Sequence, residues 1–370
     1  MEAAGLIGHE FWEADAPVLM GWDGAVPAGI PGLVFFRSSG STGEPKWIGL
    51  SRAALKVSAA AVNAHLGVTA DSCWVLALPL HHVGGFGVVA RADQAGCRME
   101  HFSGKWEAAG FARWLGEAGG THLSLVPTQV HDLVVAGLRA PASLRAIVVG
   151  GGILAEATGR AARDLGWPVL ASYGMTEAGS QIATQDFELL DQPYVTAPLG
   201  LLPCWDAMTD GEGRIMIRGG ALFSGTLKSA EGEWKYEERS GEWFASSDLG
   251  RVDRRMLHIA GRADMLVKIL GELVDPVAVE SEIVALAGAA PGSAVVVAVA
   301  DPRAGNQLVL IHENVTTDAK AWERALEAYH GSCPGYRRIS RVIGIETIPR
   351  SPMGKPRRAE LARFAMRSVI

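Results

Sequence analysis

A loop rich in serine and glycine follows the first strongly apolar run of the chain. Residues 38–46 read SSGSTGEPK, directly after GLVFF at 32–36. Exposed backbone N–H groups and hydroxyls in such a loop can surround anionic oxygens, and Lys46 adds a positive charge. It is not a Walker A sequence, because Pro45 precedes the lysine and Trp47 follows it. Taken alone, the segment predicts either a phosphate-binding loop or a merely flexible connection.

Four further segments follow this loop in order. They are SYGMTE (172–177), SSDLG (246–250), GRADMLVKILGELVDPVAVE (261–280) and PRSPMGKPRR (349–358). Together with the loop they resemble the signature motifs of the adenylate-forming superfamily, which includes acyl-CoA synthetases, firefly luciferase and peptide-synthetase adenylation domains. The resemblance extends over most of the chain. It implies an enzyme that uses ATP to activate a carboxylate.

The resemblance assigns many of these residues to the nucleotide. It implies that Glu177 coordinates Mg²⁺, that Thr176 contacts the α-phosphate and that Tyr173 stacks on adenine. Asp248 would accept hydrogen bonds from the ribose hydroxyls, although two serines replace the Thr-Gly that usually precedes this aspartate. The implied nucleotide-binding residues are Ser38, Ser39, Gly40, Ser41, Thr42, Gly43, Lys46, Gly150, Gly151, Gly152, Ser172, Tyr173, Gly174, Thr176, Asp248, Arg262 and Lys268.

A lysine and an aspartate near the C-terminus are implied to control the reaction. Lys355 matches the superfamily's adenylation lysine, which bridges the substrate carboxylate and the α-phosphate and stabilises the charge that develops there. Asp264 falls at the hinge about which a small C-terminal domain rotates between the two half-reactions. Lys268 and the loop at Gly271 belong to the face of this domain that is used in the second half-reaction. Arg262 is either a ribose or phosphate contact or a surface salt bridge. The implied catalytic residues are Lys355, Thr176, Glu177 and His82.

The region between the loop and SYGMTE is expected to hold the acyl group. The segments LPLHHVGGFGVVAR (78–91), THLSLVPTQVHDL (121–133) and AIVVGGGIL (146–154) resemble the o-succinylbenzoate–CoA ligases of menaquinone biosynthesis. The resemblance places His82 in the acyl channel, and a buried core histidine is the alternative. A cation buried at Arg91 would need a partner, either the second carboxylate of a dicarboxylate substrate or an internal acid such as Asp93. The further pocket candidates are Thr128, Gln129 and Gly151.

Composition narrows the class of protein. A chain of 370 residues exceeds one typical core, so two domains are expected. The net charge of −6 argues against a nucleic-acid partner. The four cysteines are isolated and form no CxxC pair, so we expect neither a zinc site nor a disulfide framework, and a cytoplasmic location fits. We expect no signal peptide and no membrane span.

Alternating apolar runs and helical patterns predict the elements that position these residues. Strands are predicted at 32–36, 73–80, 121–127, 144–150 and 167–174, with helical patterns between several of them. This α/β alternation indicates parallel sheets covered by helices. After Pro193, short strands predict a small antiparallel section, with a solvated acidic hairpin at 231–238. We expect a large domain over 1–261 and a small mobile α/β domain over 262–370.

The sequence therefore predicts an ATP-dependent ligase that forms an acyl-adenylate and then an acyl-CoA thioester. The expected ligands are ATP, Mg²⁺, coenzyme A and a small carboxylate, with o-succinylbenzoate favoured. The alternatives are an acyl-CoA synthetase for another aryl or short-chain acid, and an adenylation module that loads a carrier protein. Only 37 residues precede the phosphate loop, so one wall of the acyl pocket is expected to differ from that of longer relatives. Whether the chain forms a homo-oligomer is left open.

Overall fold

The predicted alternation of strands and helices is present in the computed structural model, which describes residues 8–39, 45–196, 198–230, 233–314, 319–351 and 354–368. The helices are α1 His9–Glu13, α2 Arg52–Leu66, α3 Val83–Ala95, α4 Ala108–Ala118, α5 Pro127–Val135, α6 Glu156–Asp164, α7 Pro276–Leu286, α8 Ala319–Ser332 and α9 Arg358–Arg367. The strands are β1 Val18–Leu19, β2 Val34–Ser39, β3 Pro45–Leu50, β4 Cys73–Leu76, β5 Arg98–His101, β6 His122–Leu125, β7 Ala146–Val149, β8 Val169–Met175, β9 Ser180–Thr184, β10 Leu199–Leu201, β11 Trp205–Thr209, β12 Arg214–Gly219, β13 Gly225–Ala230, β14 Glu233–Glu238, β15 Phe244–Asp253, β16 Met256–Arg262, β17 Val267–Ile269, β18 Glu272–Val274, β19 Ala294–Asp301, β20 Gly305–Glu313 and β21 Ile339–Ile345.

One long sheet joins the predicted parallel and antiparallel parts. Its strand order is β11-β12-β15-β16-β10-β9-β8-β7-β6-β4-β5. Strands β4 to β8 pair in parallel, and β4, β6 and β7 are buried along their whole length, as expected for strands covered by helices. Strand β8 pairs in parallel with β7 but antiparallel with β9. The predicted antiparallel section is therefore present, and it continues the parallel strands within the same sheet.

A second sheet carries both ends of the predicted phosphate loop. Its strand order is β1-β2-β3-β13-β14, and β2 pairs antiparallel with β3 so that Ser38 lies opposite Lys46. Alternate side chains of β2 enter different clusters, since Phe36 joins the main core whereas Phe35 packs with Trp47. This alternation follows from the two-residue period of a strand. The predicted acidic hairpin is formed by β13 and β14, and residues 231 and 232 lie outside the described part.

Local signals at the ends of α2 and α3 agree with the observed boundaries. The side chain of Ser51 accepts a hydrogen bond from the backbone N–H of Ala54 at 3.0 Å, which caps the start of α2. Gly67 ends α2 with φ +63° and Gly96 ends α3 with φ +61°. This left-handed conformation favours glycine after the last helical turn. The helices that cover the sheet are therefore bounded by residues that the sequence supplies locally.

The chain divides into two compact units, Met1–Ser246 with Arg251–His258 and Ser247–Gly250 with Ile259–Ile370. In the second unit, β19 pairs antiparallel with β20, which pairs in parallel with β21. Val296 of β19 packs in one cluster with residues of α7 and α8, whereas Val295 and Val297 pack with α9. Helices therefore cover both faces of this small sheet. The predicted division at 261–262 and the mobility of the second domain stay predictions.

The four cysteines are free thiols. Burial raises the pKa of both Cys73 and Cys97, which lowers the thiolate fraction and hence their reactivity. Within the described ranges, no helix has the length and apolar character needed to cross a bilayer.

Replacing Phe86 by alanine is expected to destabilise the larger unit strongly. Phe86 is fully buried, and its ring lies 5.9 Å from Phe11, 5.9 Å from Trp12 and 5.2 Å from Phe36. The cavity should lower the free energy of unfolding by about 3–5 kcal/mol. Chemical denaturation measures the loss, and Phe187→Ala, at a residue that is 39% exposed, is the matched control. Equal losses for the two variants would contradict this account of the core.

Candidate active site

The SYGMTE segment makes a tight turn between β8 and β9. Thr176–Ala178 forms a single 3₁₀ turn, and the pairing of the two strands shifts register between Tyr173 and Gly174. A Cβ atom placed on Gly174 would lie only 1.7 Å from the carbonyl oxygen of Ser180, so any other residue would force the strands apart. The turn is further held by the N–H of Phe223, which donates to the carbonyl oxygen of Glu177 at 2.9 Å. The backbone therefore fixes where Thr176 and Glu177 project.

The lysine of the predicted phosphate loop forms an ion pair with the glutamate of SYGMTE. The Nζ atom of Lys46 lies 3.6 Å from Oε1 of Glu177, whose side chain is only 14% exposed. One carboxylate is enough for Mg²⁺ when phosphate oxygens and water complete its coordination, so Glu177 with Lys46 beside it fits a magnesium–phosphate group. Ser38 and Ser39 end β2 across from β3. The predicted ligands Gly40, Ser41, Thr42 and Gly43 lie outside the described residues.

The glycine triplet follows β7 and packs against β8. The hydroxyl of Ser172 donates to the carbonyl oxygen of Val149 at 3.1 Å, and a Cβ atom on Gly150 would lie 3.0 Å from that same hydroxyl. Gly151 has φ +79°, a conformation that other residues rarely adopt. Ser172 therefore joins the two strands, and the absence of side chains leaves the backbone at Gly150–Gly152 accessible beside them.

Helices α3 and α5 carry the predicted acyl-site residues. His82 occupies the N-cap position just before α3 and is half-buried, with its ring centroid 4.5 Å from that of His81. Thr128 lies in the first turn of α5. The side chain of Gln129 accepts from the N–H of Val126 at 3.0 Å and donates to the carbonyl oxygen of Ala77 at 3.4 Å. Gln129 therefore holds the start of α5, a structural task that the sequence did not indicate.

Arg91 is a buried cation at the centre of the larger unit. It is 1% exposed and donates hydrogen bonds to the hydroxyls of Ser124 at 3.1 Å and Ser180 at 3.0 Å. Its guanidinium lies 5.1 Å from the ring of Trp74. Burial lowers the pKa of Arg91 to about 9. These contacts orient the guanidinium but add no negative charge, so a buried cation is maintained at a cost in free energy.

The prediction that Asp93 is the internal acid that pairs with Arg91 is wrong. Asp93 lies 3.6 Å from Nζ of Lys56 instead, because residues two apart on a helix face different directions. Across the described residues, no carboxylate forms an ion pair with Arg91. Ser180, a non-glycine residue with φ +130°, was not predicted from the sequence. Ser180 lies only three residues beyond the SYGMTE motif. This short spacing points to the site only once the turn between β8 and β9 is known.

Residues from three separate motifs come together in the second unit. Asp248 is 7% exposed, and Arg262 lies 3.3 Å from it. The same guanidinium donates to both carboxylate oxygens of Asp264 at 2.8 and 2.6 Å. The ammonium of Lys355 interacts electrostatically with Arg262 and Asp248. Burial lowers the pKa of Lys355, the positive charge of Arg262 acts in the same direction, and the carboxylate of Asp248 opposes them.

Lys268 lies on a separate feature, the hairpin of β17 and β18. Its side chain is exposed, and the turn consists of Leu270 with φ +53° and Gly271 with φ +89°. Two successive residues with positive φ give the tight turn that suits the twist of a two-stranded hairpin. The predicted role of this hairpin in the second half-reaction stays a prediction.

The pKa of the Lys355 ammonium is expected to lie below that of an ordinary lysine. Asp248→Asn should lower its pKa further, because the carboxylate raises it, whereas Arg262→Gln should raise it. Reductive ¹³C-methylation followed by an NMR pH titration measures each value. A rise of the pKa in Asp248→Asn, or a fall in Arg262→Gln, would contradict the arrangement of charges.

Comparisons with known proteins agree with this geometry. The family model for AMP-binding enzymes matches residues 33–226, which are 194 of the 370. A 2-succinylbenzoate–CoA ligase of Enterococcus faecalis is 30% identical over 68% of this chain and 53% of its own length. A 2-succinylbenzoate–CoA ligase of Bacillus cereus is 28% identical over 90% of this chain and 70% of its own length.

The fold also matches a solved structure. The o-succinylbenzoate CoA synthetase of Bacillus subtilis, in complex with the acyl-adenylate intermediate OSB-AMP, superposes with a TM-score of 0.76 at 22% identity, covering 88% of this chain and 68% of that one. The chain thus spans between about half and 70% of the length of these proteins. Since the family model covers more than half of the residues, the chain belongs to the AMP-binding enzyme family.

Proposed function

We propose that this chain catalyses the ATP-dependent ligation of o-succinylbenzoate to coenzyme A through an acyl-adenylate. The observation that supports the chemistry most is the grouping of Lys355 with Asp248 and Arg262. These residues come from three motifs, and that of Lys355 lies far along the chain from the other two. An ammonium beside a buried carboxylate and a guanidinium suits a nucleotide whose ribose and α-phosphate must both be held.

In the first half-reaction, a carboxylate oxygen of the substrate attacks the α-phosphorus of ATP and pyrophosphate leaves. Lys355 holds the attacking carboxylate against the phosphate and stabilises the negative charge that builds on the phosphoryl oxygens. Asp248 accepts hydrogen bonds from the ribose hydroxyls. Lys46 and Glu177 act at the phosphates, where Mg²⁺ supplies charge neutralisation when bound.

In the second half-reaction, the thiolate of coenzyme A attacks the acyl carbonyl carbon and AMP leaves. The two steps require different faces of the second domain, so we include in the proposal a rotation of residues 262–370 about Asp264. Asp264 lies in the short 3₁₀ turn Ala263–Met265, and a few such residues can absorb the change in dihedral angles. Rotation would exchange the Lys355 face for the face with Lys268 and Gly271.

The proposed substrate rests on Arg91. A carboxylate that compensates this buried charge would be strongly favoured, because a charge-assisted hydrogen bond in a buried site is stronger than one in water. o-Succinylbenzoate has two carboxylates, so one can react while the other pairs with Arg91. The names of the two sequence relatives support the same choice. A cytoplasmic location is part of the proposal, and the free thiols fit it.

Arg91→Met is expected to remove the preference for a dicarboxylate without weakening the fold. Loss of the charged hydrogen bonds should cost about 1.5–3 kcal/mol, or roughly 10- to 150-fold in kcat/KM on o-succinylbenzoate. Activity on benzoate should not fall. The thermal unfolding midpoint should stay the same or rise, because replacing a buried charge that no acid compensates by an apolar side chain of similar length is often neutral or stabilising.

A substrate panel tests both this variant and the proposed function. Pyrophosphate release and CoA-thioester formation are measured with o-succinylbenzoate, benzoate and fatty acids. Arg98→Met, at an exposed arginine that pairs with Glu100, is the matched control and should behave as wild type. Wild-type activity on benzoate or fatty acids with none on o-succinylbenzoate would defeat the proposed substrate. Adenylation without turnover of free coenzyme A would indicate a carrier-protein acceptor.

Lys355→Ala is expected to separate the two half-reactions. Acyl-adenylate formation should fall severely, since the variant lacks the ammonium that positions the carboxylate. Thioester formation from supplied acyl-adenylate should continue at the wild-type rate. Pyrophosphate release measures the first step and single-turnover thioester formation measures the second. An equal loss in both steps would contradict the role given to Lys355.

A further inference from the structure

A partly buried ion pair includes Arg358, three residues beyond Lys355. Arg358, the first residue of α9, reaches Glu280 of α7 with both terminal nitrogens, at 2.7 Å to Oε2 and 2.9 Å to Oε1. The side chains are only 21% and 13% exposed. Such a two-point contact between guanidinium and carboxylate fixes orientation as well as distance. The pair therefore sets how the start of α9 is held against α7.

The same pair occupies the outer edge of β19. The N–H of Val296 donates to Oε2 of Glu280 at 2.9 Å, and Arg358 donates to the carbonyl oxygen of Val296 at 2.9 Å. Strand β19 is at the edge of its sheet, so these two backbone groups would otherwise lack a partner in the ladder. One ion pair thus joins two helices and a strand.

The position of Arg358 is unfavourable for the helix itself. The first turn of a helix carries a partial positive charge, so acidic residues are preferred there and a cation is disfavoured. The arginine is nevertheless the first residue of α9. The partly buried carboxylate of Glu280 offsets this local cost, which indicates that the contact is kept for the placement of the segment before α9.

That segment is the loop with Lys355. The N–H of Ser351 donates to the carbonyl oxygen of Lys355 at 2.8 Å, and Arg357 donates from its N–H to the carbonyl oxygen of Pro349 at 2.8 Å. Arg350 donates to the carbonyl oxygen of Gly354 at 3.0 Å. The described ends of the loop are thus tied to each other. A displacement of Arg358 would therefore carry the backbone at Lys355 with it.

We propose that Glu280 is a positioning residue for adenylation: by fixing Arg358 against β19, it holds the Lys355 ammonium where the carboxylate and α-phosphate meet. The proposal rests on the function proposed above. Glu280 contacts Arg358 and the N–H of Val296. It acts through Arg358 and the tied loop. Its removal should therefore affect the step that needs Lys355 and leave the other step intact.

Glu280→Gln tests the proposal, because the amide keeps the volume but loses the charge that holds Arg358. Acyl-adenylate formation should fall by about tenfold to 100-fold, since small misplacements of a positioned group have effects of that size. Thioester formation from supplied acyl-adenylate should not change. The matched control is Glu282→Gln on the same helix, where Glu282 pairs with Arg337 at 2.7 Å and is 48% exposed. Both half-reactions of the control should equal those of wild type.

A measurement independent of activity separates this proposal from the proposed function. The pKa of ¹³C-methylated Lys355 should move back toward the ordinary lysine value in Glu280→Gln and stay unchanged in Glu282→Gln. An unaltered pKa, a parallel loss of both half-reactions, or equal effects of the two variants would overturn the proposal. Absence of adenylation in the wild type would instead defeat the proposed function. If Glu280→Gln does not fold, Arg358→Lys takes its place, because lysine keeps the charge but cannot form the two-point contact.

Discussion

The predicted active-site turn of the larger unit depends on one close backbone approach, that of Gly174 to Ser180. With a Cβ position 1.7 Å from the Ser180 carbonyl oxygen, only glycine allows β8 and β9 to pair on either side of the SYGMTE turn. This turn directs Glu177 toward Lys46 and the Ser180 hydroxyl toward Arg91. It is also the point where the sheet changes from parallel to antiparallel pairing, and ligand sites of α/β sheets tend to form where strand order or direction changes.

Each of the two units contains a cation whose pKa is lowered by its surroundings. Arg91 has neutral hydroxyls and an aromatic ring around it, and the pKa of Lys355 is lowered by burial and by Arg262. Folding alone gains little from the buried Arg91, since an apolar residue would be as stable or more so. Anionic ligands offset the cost when they bind. Phosphates and carboxylates are therefore the ligands that this distribution of charge favours.

Much of the fold was predictable because the signals are local. Buried strands appeared as apolar runs, and helices appeared through their periodicity and end signals such as Ser51 and Gly67. The antiparallel section was also predicted, but its continuity with the parallel strands was not, because strand order depends on pairings between distant segments. The assignment of Gln129 to the pocket overlooked its hydrogen bonds to Val126 and Ala77. A capping side chain and a pocket side chain look alike in sequence.

The sequence by itself determined the motifs, their order and the family, because five short segments carry the residue types that nucleotide chemistry requires. Only the tertiary structure decided which charges meet. Arg91 contacts hydroxyls 33 and 89 residues away, while its sequence neighbour Asp93 pairs with Lys56. Glu280 and Arg358 are 78 residues apart. Electrostatic and hydrogen-bond energies depend on distance in space and on burial, and spacing along the chain fixes neither once the segments belong to different elements.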